Sequence, residues 1–394
     1  MLLNRKTTRL FWSVYLAFAL LSTPMIAMAQ TSVSETTFAT AAPHVAILDF
    51  DTGEILYQKD ASRPIAPASM TKIMTAEMVF SALKSGRLTP ETEFTVSEEA
   101  WRRGGAKSGS STMFLDLNST VSVENLIKGV IVQSGNDACI VLAEGMAGSE
   151  DAFAAQMTAR AREMGLSSAT FRNATGWPHP EHNISALDLA KLARAQIKNH
   201  PEYYPLYNER SFTWNGITQG NRNPLLGKFT GADGLKTGHT EVSGYGLVGS
   251  AERNGVRRII VINGLESSAK RRDVSLSLMN SAFNEFKVYD LRQAGIELAR
   301  ANVFMGKSAD VGVALAAPIK QGLHISERSK VTSRIEYTTP PAPIAKGDQI
   351  AELIVSIEGR QDARFPLFAT EDVKAKSFFG KAGAVLIGKI RGEL

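Results

Sequence analysis

The chain has 394 residues, 44% of them hydrophobic and 21% charged, so it can build more than one globular core. Its formal net charge of +5 includes three basic residues within the first 29 positions, and no basic stripe with interleaved aromatic side chains follows, so we expect no nucleic-acid partner. Cys139 is the only cysteine, which excludes an internal disulfide.

The first 29 residues have the pattern of a secretory signal peptide. The three basic residues precede an apolar run over residues 10–21, and Ala27-Met28-Ala29 matches the small-x-small pattern that precedes a cleavage site. The run is shorter than the roughly 20 residues that a membrane-spanning helix needs. We therefore expect an exported protein that is cleaved after Ala29, with an uncleaved N-terminal anchor as the alternative.

Residues 42–290 show strand signals at both ends and helical signals between them. Strands are predicted over residues 44–50, 54–58, 234–239, 245–251 and 257–263, the last two joined across Asn254-Gly255. Helices are predicted over residues 69–83, 122–132, 137–147, 150–164, 185–198 and 269–287. This order favours an antiparallel sheet, built from the first and last segments, with helices packed against it. Such a domain has a mixed α/β fold, and its antiparallel sheet with packed helices makes it one of the α+β type.

Residues 294–368 differ in sequence pattern from the region before them. Short alternating runs begin at Val311, Arg334 and Ile350 and are separated by turns that contain proline and glycine. This pattern predicts a small all-β domain. Its sequence carries no obvious catalytic constellation, and its role stays open.

The last segment, residues 372–394, has the pattern of an amphipathic helix. One helical face would carry the apolar side chains of Phe378, Phe379, Ala382, Val385, Leu386 and Ile390. Most basic residues lie off that face, which favours attachment to the surface of an anionic membrane. The alternative is a helix that packs on its own domain, and three glycines count against either helix.

The run Ser69-Met70-Thr71-Lys72 opens a predicted helix that is apolar nearly all round. A spacing of three residues places the Ser69 hydroxyl and the Lys72 amine one turn apart on the same face. A serine becomes a good nucleophile when a neighbouring base takes its proton, and burial favours the unprotonated lysine that can do so. Ser-x-x-Lys also occurs at Ser81 and Ser267, but only Ser69 follows two prolines at the start of a buried helix.

Two further motifs follow in the chain. Ser134-Gly135-Asn136 lies in a break between predicted helices, and Lys236-Thr237-Gly238 lies on a predicted strand, where a glycine lets a substrate backbone approach closely. Taken singly, the first is also a helix-ending turn and the second a charged edge strand. All three motifs in this order are the signature of penicillin-binding proteins and class A β-lactamases.

With these motifs the chain resembles, over nearly its whole mature length, the low-molecular-mass penicillin-binding proteins that are D-Ala-D-Ala carboxypeptidases. The resemblance implies that Ser69 is the acylated nucleophile, that Lys72 is its base and that Ser134 relays a proton to the leaving D-alanine. It implies a peptidoglycan pentapeptide as substrate, β-lactams as covalent inhibitors and no cofactor. It also implies a periplasmic protein, peripherally attached to the inner membrane through its last helix.

The resemblance assigns binding roles to six further residues. Asn136 would hold the peptide amide, and Lys236 would shape the field around Lys72 and Ser134. The backbone N–H groups of Ser69 and His239 would form the oxyanion hole, and Arg222 would bind the terminal carboxylate. Thr237 and Gly238 would complete the strand that binds substrate.

Three alternatives accompany this interpretation. A class A β-lactamase usually has a Glu-x-x-Leu-Asn run between the second and third motifs, and the chain has none. A catalytically silent peptidoglycan-binding or penicillin-sensing protein would need no nucleophile. A zinc site at His179, Glu181 and His182 would lack further ligands, so we predict a surface loop there and no metal. The sequence does not separate carboxypeptidase from endopeptidase action.

Overall fold

The structure is a computed structural model that describes residues 38–358 and 360–377. The predicted signal peptide and most of the predicted C-terminal helix, residues 378–394, lie outside these residues, so neither prediction is tested. Within the part of the chain that is described, no helix is long and apolar enough to cross a membrane.

The first region of the fold contains eleven strands. Their bounds are β1 His44–Asp49, β2 Ile55–Lys59, β3 Pro64–Ile65, β4 Glu93–Thr95, β5 Thr120–Ser122, β6 Ile184–Ser185, β7 Ser211–Trp214, β8 Ile217–Gly220, β9 Ala232–Thr240, β10 Gly244–Arg253 and β11 Val256–Leu265. Five of them form an antiparallel sheet in the order β2-β1-β11-β10-β9. The predicted sheet of first and last segments is thus confirmed, whereas the pairs β3/β6, β4/β5 and β7/β8 were not predicted.

The described residues also form six α-helices. Their bounds are α1 Lys72–Lys84, α2 Val123–Lys128, α3 Asn136–Ala147, α4 Glu150–Glu163, α5 Ala186–Asn199 and α6 Ser268–Asn284. A 3₁₀ turn over Ala68–Thr71 precedes α1, and a π-helical turn over Gly129–Gln133 separates α2 from α3. The prediction of a helix over residues 269–287 is wrong at its end, because the chain leaves α6 at Asn284 and enters a strand at Phe286.

The central sheet is buried on both faces because helices cover both. Successive side chains of a strand point to opposite faces, and the two faces of β1 belong to two different apolar clusters. Ala46 and Leu48 pack in the cluster that contains α1, α3 and α5. Val45 and Ile47 pack in the cluster that contains α6. A strand that is covered on both faces contains a continuous apolar run, as residues 45–48 of β1 and 259–262 of β11 do.

The second region is all-β, as predicted. Its strands are β12 Phe286–Arg292, β13 Glu297–Asn302, β14 Asp310–Leu315, β15 Ile319–His324, β16 Val331–Glu336, β17 Gln349–Ile357 and β18 Ala363–Ala369. Five of them form a sheet in the order β13-β14-β18-β17-β16, and β12 pairs with β15. The β15 strand packs on β2, where a Cβ at Gly322 would lie 2.6 Å from the Ile55 carbonyl oxygen.

Candidate active site

The Ser69 turn and the N-terminus of α1 form the centre of the site. Ala68 has a φ of +49°, a strained conformation for a residue with a side chain, and it immediately precedes Ser69. The Lys72 side chain is buried, and its Nζ lies 2.9 Å from Ser69 Oγ. The predicted pair of hydroxyl and amine is therefore in hydrogen-bond contact.

Two carbonyl oxygens hold the Lys72 amine on its other sides. Nζ donates hydrogen bonds to Asn136 Oδ1 at 2.7 Å and to the Thr175 backbone oxygen at 2.7 Å. A neutral amine has two N–H groups and one lone pair, and the two carbonyl oxygens engage both N–H groups. The lone pair is then left to face Ser69 Oγ, which is the arrangement that a general base requires.

The surroundings of Lys72 raise the fraction of its neutral form above that of a free lysine. Burial lowers the pKa of Lys72 to about 8, and the Arg222 guanidinium also lowers this pKa. Burial lowers the pKa of Lys236 well below its usual range, as do the charges of Lys72 and Arg222. Burial raises the pKa of the Cys139 thiol to about 12, so this neighbour is uncharged at neutral pH and does not balance the two amines.

The Ser134-Gly135-Asn136 turn links the π-helical turn to α3. Ser134 is buried and has a φ of +60°, in the left-handed region. The Asn136 side chain receives Lys72 on its oxygen and donates from Nδ2 to Ser110 Oγ at 2.9 Å. The Asn136 amide therefore holds the Lys72 amine and, through Ser110, the neighbouring loop. This role was not predicted from the sequence.

Asp137 fixes the segment that runs beside this turn. Its buried carboxylate accepts hydrogen bonds from Thr112 Oγ1 at 2.7 Å and from the backbone N–H groups of Met113, Leu115 and Ala138. Because a buried carboxylate is costly unless it is hydrogen-bonded, this arrangement ties residues 112–115 to α3. This role of Asp137 was not predicted from the sequence.

A cavity of about 260 Å³ opens over Ser69. Six predicted site residues line it, namely Ser69, Ser134, Arg222, Thr237, Gly238 and His239. The other three predicted residues, Lys72, Asn136 and Lys236, are buried within the site. The structure thus brings together all nine residues that the motifs and the resemblance named. Ser111, Tyr245 and Arg271 also line the cavity and were not predicted.

Two guanidinium groups give this cavity a positive wall. Arg222 Nη1 donates to Ser111 Oγ at 2.6 Å, and Arg271 from α6 lies near the Tyr245 ring. Burial lowers the pKa of both groups, and neither forms an ion pair with a carboxylate of the described residues. A cavity wall of this kind is suited to a ligand that brings its own carboxylate.

The edge strand β9 forms another wall. His239 stacks on Tyr245 with ring centroids 3.8 Å apart. A Cβ at Gly238 would lie 2.7 Å from the Pro67 carbonyl oxygen, so glycine is needed for the strand to pack against the turn that bears Ser69. Packing of the strand is thus a second reason for this glycine, beside the close approach of substrate that the sequence predicted.

The loop that carries the two histidines divides into exposed and buried parts. His179 and Glu181 are exposed, as predicted for a surface loop, whereas His182 is only 2% exposed. No group of three His, Cys, Asp or Glu side chains within residues 38–358 and 360–377 could hold a metal ion. The prediction of a surface loop is therefore wrong for His182, because its ring fills a buried position beside Phe171.

Comparison with known proteins gives a consistent result over both regions. Residues 29–267 match the family described as D-alanyl-D-alanine carboxypeptidase, and residues 286–375 match the C-terminal domain of penicillin-binding protein 5. The D-alanyl-D-alanine carboxypeptidase DacD of Salmonella typhimurium is 34% identical over 385 residues, which cover 97% of this chain and 98% of that protein.

Solved structures show the same likeness. The D-alanyl-D-alanine carboxypeptidase DacD from Francisella tularensis has a TM-score of 0.76 and 31% identity, covering 87% of this chain and 96% of its own. Penicillin-binding protein D2 from Listeria monocytogenes, solved in the ampicillin-bound form, has a TM-score of 0.55 and 28% identity. It covers 63% of this chain and 100% of its own.

Proposed function

The chain belongs to the D-alanyl-D-alanine carboxypeptidase family, and we propose that Ser69, Lys72 and Ser134 carry out the reaction of this family in it. The protein is a serine-type hydrolase of the penicillin-binding class that acts on D-Ala-D-Ala. The observation that carries the assignment of residues is the buried Lys72 amine, 2.9 Å from Ser69 Oγ and held by two carbonyl oxygens.

Acylation begins when neutral Lys72 takes the proton of Ser69. Ser69 Oγ attacks the carbonyl carbon of the peptide bond between the two D-alanines. The backbone N–H groups of Ser69 and His239 stabilise the negative charge that develops on the carbonyl oxygen. Ser134 gives its hydroxyl proton to the leaving amine as the peptide C–N bond breaks and takes in its place the proton held by Lys72, which is then neutral again. Free D-alanine departs and the remaining peptide stays on Ser69 as an ester.

Deacylation returns the enzyme to its starting state. A water molecule gives up a proton to Lys72 and attacks the ester carbon, and the Ser69 oxygen leaves and regains a proton. The products are the shortened peptide acid and the free serine. A β-lactam acylates Ser69 by opening its own amide ring, but the amine it releases stays attached to the acyl group.

Recognition of the substrate uses the positive wall of the cavity. The terminal D-alanine carries a free carboxylate, and the Arg222 and Arg271 guanidinium groups face the cavity without a carboxylate partner in the part of the chain that is described. The outer edge of β9 can pair with the extended peptide, since β9 is the last strand of its sheet. The class A β-lactamase and the silent sensor are not favoured, because the matched relatives are carboxypeptidases over most of the chain.

Release of D-alanine tests this function directly. The mature protein should liberate D-alanine from a pentapeptide that ends in D-Ala-D-Ala, and Ser69→Ala should liberate none. Ser267→Ala is a matched control, because Ser267 begins another Ser-x-x-Lys run but caps α6. Equal release by wild type and Ser69→Ala would contradict the assigned nucleophile, and no release by either would contradict the function.

We also propose that the protein is exported and attached to the periplasmic face of the inner membrane. The pattern of residues 1–29 supports export, and the basic amphipathic pattern of residues 372–394 supports attachment. The full chain should sediment with inner membranes at low salt, whereas a variant that ends at Ser377 should stay in the periplasmic fraction. Equal distribution of the two proteins would contradict attachment through this segment.

A further inference from the structure

One segment outside the three motifs touches the catalytic lysine. Residues 171–182, here called the carbonyl loop, supply the Thr175 oxygen that accepts a hydrogen bond from Lys72 at 2.7 Å. The loop is closed at its base, where the backbones of Thr170 and Asn183 exchange hydrogen bonds of 2.8 and 2.9 Å. The position of the loop therefore determines where the Lys72 amine finds one of its two carbonyl partners.

The His182 ring forms two hydrogen bonds with defined directions. The Arg172 backbone N–H donates to His182 Nδ1 at 3.1 Å, and His182 Nε2 lies 2.8 Å from Thr71 Oγ1. Because a backbone N–H can only donate, Nδ1 is the acceptor and the ring proton lies on Nε2. Burial lowers the pKa of His182 to about 4, so the ring is neutral at pH 7.

The partner hydroxyl belongs to the catalytic turn. Thr71 is buried and lies in the chain between Met70 and Lys72, on the turn that carries Ser69. The loop presses on this turn so closely that a Cβ at Gly176, where φ is +87°, would lie 1.8 Å from the Ala68 carbonyl oxygen. His182 is thus a side-chain bridge between the carbonyl loop and the turn that bears nucleophile and base.

We propose that His182 is a positioning residue for the general base, acting through Thr71 to keep the Thr175 carbonyl oxygen on the Lys72 amine. The proposal rests on the assignment of Lys72 as base. When both carbonyl oxygens engage the amine, its lone pair faces Ser69 Oγ, and a displaced loop would leave one N–H free to turn towards the serine. A misplacement of about 1 Å near the reacting atoms can slow a reaction roughly a hundredfold.

Two conservative substitutions separate the two hydrogen bonds of the ring. In His182→Gln the terminal amide nitrogen can reach the position of Nε2 and donate to Thr71, whereas in His182→Asn the shorter amide can replace only the acceptor Nδ1. Acylation by a fluorescent penicillin, followed by stopped flow, gives the initial binding constant and the acylation rate constant separately. We expect His182→Asn to lower the rate constant by about tenfold to a hundredfold, with initial binding unchanged, and His182→Gln to restore most of it.

Matched variants guard this test against simple misfolding. His179→Gln changes an exposed histidine of the same loop and should acylate like wild type. Thr71→Val removes the acceptor hydroxyl at nearly constant volume and should reproduce the His182→Asn defect. The double variant should be no slower than either single variant, because both remove the same contact.

The outcomes separate this inference from the proposed function. Wild-type acylation rates in folded His182→Asn and Thr71→Val would overturn the positioning role and leave the function intact. Equal defects in His182→Gln and His182→Asn would also overturn it, because the bond to Thr71 would then not be the one that matters. Failure of the wild-type protein to acylate on Ser69 would overturn both.

Discussion

Charged side chains are used in opposite ways in the two regions of the molecule. In the catalytic region Lys72 and Lys236 are buried without a carboxylate partner among residues 38–358 and 360–377, and their pKa values are lowered. In the all-β region Arg300 lies on the surface among Glu297, Asp310 and Glu371, and these carboxylates raise its pKa. A buried amine without a carboxylate partner lowers the stability of the folded state, so such groups indicate a functional site.

Replacing Lys72 by an apolar side chain of similar length should have the largest effect. Lys72→Met should lower acylation by roughly a thousandfold or more, because Ser69 then has no base. The same variant should unfold at a higher temperature, since a buried amine whose pKa is about 8 instead of 10.5 costs the folded state about 3 kcal/mol at pH 7. Penicillin labelling and thermal unfolding of the same sample measure both effects.

A variant that labels like wild type would show that Lys72 is not the base. The stability of wild type should also rise with pH between about 8 and 10.5, because the unfolded state binds more protons there than the folded state. Lys72→Met should lack this increment. An equal increment in both proteins would contradict the lowered pKa of Lys72.

The pH dependence of acylation tests whether the base has the lowered pKa of Lys72. Only neutral Lys72 can accept the proton of Ser69, so the acylation rate should rise with pH and level off above about 8. Between pH 7 and pH 6 the rate should fall about tenfold, which is the change in the neutral fraction per unit below the pKa. A flat profile from pH 6 to 9 in stopped-flow acylation would exclude a lysine base.

The positive wall of the cavity predicts a smaller loss that depends on the substrate. Arg222→Gln and Arg271→Gln should each raise KM for a peptide with a free terminal carboxylate by about tenfold, since the weaker hydrogen bonds to charged groups contribute about 1.5 kcal/mol. The same variants should change little with a peptide whose terminus is amidated. Equal effects on both peptides, measured by D-alanine and D-alanine amide release, would assign these residues to packing.

The exposed ion pairs predict the smallest effect. Arg300→Ala should leave D-alanine release unchanged and lower the unfolding midpoint by at most about 2 °C, because exposed salt bridges contribute little. High salt should remove even this difference by screening the charges. A large loss of stability would mean that this surface network holds the all-β region together.

Sequence patterns predicted the parts of the site that lie in short contiguous motifs. They also indicated the buried helix α1 and the central sheet, because apolar runs without alternation mark elements that are covered on several sides. The Thr175 carbonyl oxygen could not be predicted in this way. Every residue has such an oxygen, and the one that meets Lys72 is selected by a loop about 100 residues away in the chain.

Arg271 was not predicted as a site residue, although the helical spacing of the sequence contains a signal for it. It stands between Lys270 and Arg272, so composition alone does not tell which of the three basic side chains points inwards. The buried face of α6 includes Arg271, Ser275, Leu278 and Ala282, which follow helical spacing. Extending the apolar face of the predicted helix backwards by one turn would have placed Arg271 towards the sheet.

Mass analysis of the intact protein after incubation with benzylpenicillin shows whether Ser69 forms the acyl-enzyme. We expect a single adduct with the mass of one penicillin, which peptide mapping places on Ser69 and which Ser69→Ala does not form. An adduct on another residue, or an equal adduct on Ser69→Ala, would contradict the claim.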